Sequence, residues 1–233
     1  AEIVHVPSDA RPAEGARELL ADLARRYAVT AIVSGRSAHE LLDWLGPDVE
    51  IWGVHGAQRT ARGKVELTSA AAPFEALMRT VHDEATARVK ELGLDGVVVE
   101  DKSVMVGLHF RNAADRDRAR QALDDLAEEL VSRHGLTRAG GKLTYELRPP
   151  VDFTKAAVIR ERAERLDAVA FAGDDSVDLP GFDVLDELSA QGKATLRIAV
   201  NSPEAPSELI ERADVIVEGP KGALDFLNRL LPD

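Results

Sequence analysis

Apolar residues recur along the chain with two periods. Across residues 13–27 a helical spacing places Ala16, Leu19, Leu20, Leu23 and Ala24 on one face, which predicts an amphipathic helix. Residues 29–33 form a short continuous apolar run that ends in Ser34-Gly35-Arg36, the pattern of a buried parallel strand and its exit turn. A short helix over 37–45 and a second strand over 49–54 follow. The same alternation returns later. A helix is predicted over 155–166, then a strand over 168–172 running into Gly173-Asp174-Asp175. Further strands fall at 196–200 and 215–217, with helices at 205–212 and 221–231. Strands alternating with helices predict an α/β core built on a doubly wound, parallel sheet.

The middle of the chain follows another plan. Residues 73–92 and 113–134 read as two long amphipathic helices. Between them 96–100 and 104–110 predict a hairpin around Asp101-Lys102-Ser103, and 143–147 is a strand after Gly140-Gly141. Helices interleaved with pairs of strands predict an α+β unit whose sheet is covered on one face. We therefore expect residues 60–147 to be an inserted α+β cap domain, with 1–59 and 148–233 forming one discontinuous core.

Composition narrows the function. The chain of 233 residues has no cysteine, so thiol catalysis, disulfides and zinc–thiolate sites are excluded. A net charge of -12 argues against a nucleic-acid partner, although an acidic protein can carry a locally basic site for an anionic small molecule. No apolar run has membrane-spanning length, and the first nine residues lack the layout of a signal peptide. The expectation is a cytoplasmic protein with neither a membrane nor a nucleic-acid partner; nothing in the sequence bears on its oligomeric state.

Three segments could carry chemistry. Gly173-Asp174-Asp175-Ser176-Val177-Asp178 follows a strand, and ligands of open α/β sheets sit at the carboxyl ends of strands. Its carboxylates suit Mg²⁺, which accepts a few protein oxygens and keeps several waters; the alternative is an acidic loop with Asp178 capping the next helix. Ser34-Gly35-Arg36 joins a hydroxyl, backbone N–H groups and a guanidinium in one turn, a combination suited to phosphate or simply to leaving a strand. Lys155 opens a helix, against the helix dipole, as a lysine aimed at an anion would; the alternative is a surface lysine.

The order Ser34, Lys155, Asp174-Asp175, with a cap between the first two, resembles the haloacid dehalogenase-like phosphatases. A narrower resemblance, to the trehalose-6-phosphate phosphatase family, spans nearly the whole chain. It is carried by Ile32-Val33-Ser34-Gly35-Arg36, Val54-His55-Gly56-Ala57, Val99-Glu100-Asp101-Lys102, His109-Phe110-Arg111-Asn112, Tyr145-Glu146-Leu147-Arg148-Pro149 and Gly173-Asp174-Asp175. The resemblance implies that Ser34 binds the transferring phosphoryl group and that Lys155 stabilises it. It implies that Asp174 and Asp175, with Asp178, hold Mg²⁺. Arg36 would add positive charge beside the phosphate. The matching cap positions are Glu100, Lys102, Arg111, Lys142 and Glu146, implied to bind sugar hydroxyls and phosphate; cross-strand ion pairing is the alternative for each. His55 is expected at a strand end, either binding substrate or satisfying a backbone carbonyl.

The family's nucleophile is an aspartate in an Asp-x-Asp-Gly-Thr motif on its first strand, and no such motif occurs in these 233 residues. The loop at 3–12 and the helix from Ala13 resemble the segment that comes directly after that motif. The first strand, with the nucleophile, is therefore expected just upstream of Ala1, between the strands that end at Ser34 and Gly173. The implied activity is hydrolysis of trehalose 6-phosphate to trehalose and phosphate through an aspartyl-phosphate intermediate. A relative acting on another phosphorylated sugar or pseudo-sugar, such as a glucosyl- or mannosyl-phosphoglycerate, stays open. So does a non-catalytic sugar-phosphate-binding module, should the chain begin at Ala1.

Overall fold

The computed structural model describes residues 10–231 except Lys142 and Glu204. Candidate Lys142 and most of the loop expected at 3–12 thus lie outside the described residues. The chain forms two compact units, Ala1–Glu66 with Phe153–Asp233, and Leu67–Asp152.

The first unit opens with α1 (Ala16–Arg26), β1 (Ala31–Val33), α2 (Ala38–Leu45), β2 (Glu50–Gly53), β3 (Gln58–Ala61) and β4 (Lys64–Leu67). The second contains α3 (Glu75–Glu91), β5 (Val98–Asp101), β6 (Val106–His109), α4 (Arg116–His134), β7 (Thr137–Gly141) and β8 (Thr144–Arg148). The first then resumes with α5 (Lys155–Ala163), β9 (Ala168–Gly173), α6 (Leu179–Ala190), β10 (Ala194–Asn201), α7 (Ser207–Arg212), β11 (Val215–Glu218) and α8 (Gly219–Asn228).

In the first unit the parallel pairing falls into two sheets. β1 pairs parallel with β2, with Val33 opposite Trp52, and the β3–β4 hairpin extends that sheet antiparallel from β2. β10 lies between β9 and β11, parallel to both. Among the described residues β1 and β9 each end their sheet, so both strands that lead into candidate loops are edges. Side chains explain the layers. Val169 and Phe171 of β9 meet Ile159, Val184 and Leu185 of α5 and α6. Leu19, Leu20 and Leu23 of α1 pack with Leu45, Leu224 and Leu227.

Helix α5 is fastened at its far end. Lys193 Nζ donates to the carbonyls of Ala163, Glu164 and Leu166 at 3.0, 2.9 and 2.6 Å, beside Leu166 N, which donates to Ala163 O at 3.1 Å. Arg162 Nη2 donates to Glu50 Oε2 of β2 at 2.9 Å.

The second unit is an antiparallel sheet in the order β5-β6-β8-β7, with α3 and α4 on one face. Its core joins Val81 and Ala85 of α3 to Leu123 and Leu130 of α4, over Val106, Leu108 and Leu147 of the sheet. Period-two alternation leaves Glu100, Gly107 and Glu146 in one row across β5, β6 and β8, on the face away from that core.

Candidate active site

Four of the candidate residues in the first unit meet around one buried carboxylate. Lys155 begins α5, behind Thr154, whose Oγ1 accepts from Ala157 N at 3.1 Å. The charge that opposes the helix dipole is answered by Asp178: Lys155 Nζ donates to its Oδ1 at 2.6 Å. The Asp178 side chain is only 2% exposed. Its other oxygen, Oδ2, accepts from the backbone N–H groups of Asp174 and Asp175 at 3.0 and 3.2 Å. Asp178 stands at the start of α6 but makes no capping bond to it. Instead it folds back under the end of β9, into space that Gly173 leaves open; a Cβ at 173 would lie 2.4 Å from Asp178 Cβ. The carboxylate therefore ties the lysine of one loop to the backbone of another.

The remaining acids divide by what they already hold. Asp175 Oδ1 accepts from Ser176 N and Oγ at 2.5 and 3.0 Å, closing a one-turn 3-10 segment. Asp174 is exposed as a whole residue, while its carboxyl is partly desolvated. Desolvation raises its pKa, the Asp178 charge raises it further, and Lys155 opposes both. Among the described residues no cluster of three His, Cys, Asp or Glu is placed to enclose a cation. A donor set of one uncommitted carboxylate beside engaged ones fits a cation that retains most of its water, as Mg²⁺ does.

Ser34, Arg36 and His55 form a second group. Ser34 continues β1, its N–H donating to Trp52 O at 2.9 Å, and its carbonyl accepts from His55 N at 2.8 Å. Its Oγ accepts from Arg36 N at 3.2 Å. Arg36 turns to Glu40, with Nη1 2.9 Å from Oε1, and its guanidinium lies 5.1 Å from the centroid of Trp44. Two residues that sequence reasoning missed shape this turn. Gln58, 2% exposed, accepts through Oε1 from Ala38 N at 2.8 Å. Gly53 brings β2 so close that a Cβ there would stand 2.8 Å from Arg36 O. A glutamine between Ala57 and Arg59 gives no sign in the sequence that it is buried.

The second unit gathers three of its candidates. Lys102 Nζ lies 2.8 Å from Glu146 Oε1 and 3.6 Å from Glu100 Oε2. Two unforeseen residues complete the cluster: His109 Nε2, 2.7 Å from Glu100 Oε2, and Arg148, which pairs with Glu146. Both fall inside the stretches that carry the family resemblance, which was the available signal. Burial alone would raise the Glu146 pKa; the Lys102 charge and the Arg148 and Lys102 hydrogen bonds overcome this and lower it to about 2. Glu100 is lowered first by its hydrogen bond with His109, against desolvation. Arg111 is exposed in the turn after β6, where its carbonyl accepts from Arg116 Nε at 2.9 Å, and it is not drawn into the cluster. A groove between α3 and β5, lined by His82, Lys90, Leu94 and Val99 among others, holds none of the candidates.

The model of the trehalose-phosphatase family matches residues 1–214. A trehalose-phosphate phosphatase of Mycobacterium avium is 33% identical over 245 aligned residues, covering 94% of this chain. This chain belongs to the trehalose-phosphatase family. It spans 60% of the length of that mycobacterial relative. Among solved structures, a trehalose-6-phosphate phosphatase related protein superposes with a TM-score of 0.79 at 25% identity, covering 98% of this chain and 91% of that one. A haloacid dehalogenase-like hydrolase from Bacteroides thetaiotaomicron shares the fold with a TM-score of 0.61 at 14% identity, over 92% of this chain and 91% of the other. The fold of the family member described here is thus of the haloacid dehalogenase type.

Proposed function

We propose that the protein to which this chain belongs hydrolyses trehalose 6-phosphate to trehalose and phosphate by the aspartyl-phosphate route, its nucleophilic aspartate lying outside the described residues, in the cytoplasm, with Mg²⁺ as cofactor. Family membership supports the substrate. The observation that carries the chemistry is the Asp178 anchor, which fixes Lys155 and the Asp174–Asp175 turn to one another. Lys155 places a positive charge beside the transferring phosphoryl group, and its bond to Asp178 holds the ammonium in place before the reaction begins. The Ser34 hydroxyl orients the same group, and Arg36 lends the turn positive charge. Asp174 holds Mg²⁺, with Asp175 and Asp178 shaping its carboxylate surroundings, and the ion when bound offsets phosphate charge.

In this reading the second unit is a cap. The polar row on its sheet recognises the sugar: Glu100 and Glu146 accept from pairs of hydroxyls, and Lys102 donates. Arg111 adds a cationic donor from the turn after β6, and Lys142 is a further candidate donor.

The test is phosphate release by the purified protein from trehalose 6-phosphate, glucose 6-phosphate and glucosyl- and mannosyl-phosphoglycerate, with Mg²⁺ or with EDTA. We expect trehalose 6-phosphate to be preferred by about tenfold or more in kcat/KM, a margin of roughly 1.4 kcal/mol, and EDTA to abolish turnover. Asp174→Asn should lower Mg²⁺-dependent kcat by about a hundredfold or more. Equal rates on all four compounds would remove the substrate assignment. Turnover indifferent to EDTA would remove the metal.

A further inference from the structure

We propose that the Val54-His55-Gly56 turn is a strained brace that sets the spacing between the Ser34 turn and the Lys155 helix, with His55 a positioning residue rather than a substrate ligand. The proposal rests on the phosphatase reading for the roles of Ser34 and Lys155. Three consecutive residues here have positive φ: Val54 at 50°, His55 at 59° and Gly56 at 111°. For a β-branched residue such as Val54 this region is an outlier. Strain of this kind persists only where the surroundings over-determine it.

The surroundings do so from two sides. Towards β1, Val54 N donates to Arg36 O at 2.9 Å and His55 N to Ser34 O at 2.8 Å. The half-buried His55 ring lies against Gly35; a Cβ at 35 would stand 2.9 Å from both Cε1 and Nε2. Towards α5, a Cβ at Gly56 would stand 2.6 Å from Val158 Cγ2 and 3.7 Å from Thr154 O. Thr154 is the residue that caps α5, directly before Lys155. One tight reversal therefore touches both the turn that carries Ser34 and the first turn of the helix that carries Lys155. A relaxed, extended path through 54–56 would draw the backbone away from one or the other.

The test uses Gly35→Ala, His55→Ala and the double variant in the full chain. Steady-state phosphate release gives kcat and KM, and amide hydrogen exchange at residues 155–159 is followed without substrate. Gly35→Ala should drive the imidazole aside, lower kcat about tenfold to a hundredfold with KM within about twofold, and speed exchange at 155–159. The double variant should recover most of that kcat, because the alanine methyl then occupies space the ring has vacated. A double variant no faster than Gly35→Ala overturns the brace, as does His55→Ala raising KM with kcat unchanged.

Should Gly35→Ala fail to fold, His55→Asn separates ring from backbone, since asparagine tolerates the left-handed region. Lower kcat at constant KM, with faster exchange at 155–159, supports the brace; a raised KM with unchanged exchange overturns it. A wild-type protein without phosphatase activity but with exchange coupled across the turn removes the enzymatic reading and leaves the brace. An active wild type with uncoupled exchange removes the brace alone.

Discussion

At the scale of single residues, Asp178 does more than its position in an acidic run suggests. One oxygen receives the Lys155 ammonium and the other receives two backbone N–H groups. An amide in its place offers one acceptor oxygen and one NH₂, so whichever way it is turned, two donors face each other. Asp178→Asn should therefore destabilise the protein by about 3–5 kcal/mol, the usual cost of breaking a buried pair, as measured by urea denaturation. An exposed acid such as Asp83, 75% exposed beside His82, should change stability by less than about 1 kcal/mol when replaced by asparagine. Lys155 was legible in the sequence because a lysine at a helix start runs against the dipole. The work of Asp178 was not. Spacing reveals that three carboxylates are close, while the direction of each oxygen depends on where Gly173 lets the chain fold back.

At the scale of elements, the polar row on β5, β6 and β8 is a set of coupled charges whose balance depends on pH. Glu146 has its pKa lowered to about 2, below the range of an unfolded glutamate. A depressed carboxylate adds stability that is complete above its unfolded pKa and fades as pH falls through the folded one. The stability advantage of the wild type over Glu146→Gln should thus be full at pH 6 and shrink steadily from about pH 4.5 towards pH 2, seen in denaturation curves across that range. The strands that hold this row were only partly readable. β7, one of the expected second pair of strands, could not be given bounds because its Thr137-Arg138-Ala139-Gly140-Gly141 sequence has weak strand propensity and ends in glycines that read as a turn. The β3–β4 hairpin was missed for a related reason. Its two-residue loop, Arg62-Gly63, has φ values of 54° and 72°, as a type I′ turn requires, but arginine is not a residue that announces such a turn.

At the scale of the whole molecule, alternation of strand and helix identified the α/β core, because buried parallel strands are short apolar runs between amphipathic helices. Among the described residues the parallel strands fall into two sheets, with β1 and β9 as edges. Each unit has its own core, so damage to one should stay local. Leu123→Ala, at a fully buried position in the second unit, should cost about 3–5 kcal/mol in the unfolding of that unit. Amide protection near Ser34 and Asp174 should be unchanged, which hydrogen exchange resolves. In the first unit, Gly35, Gly56 and Gly173 share one property: the volume a methyl would need is already filled by His55, Val158 and Asp178 respectively. A methyl group at any of those three places would therefore have to dislodge a neighbour. At each of these glycines the site is built around a hydrogen atom that no carbon can replace while the neighbouring side chain stays where it is.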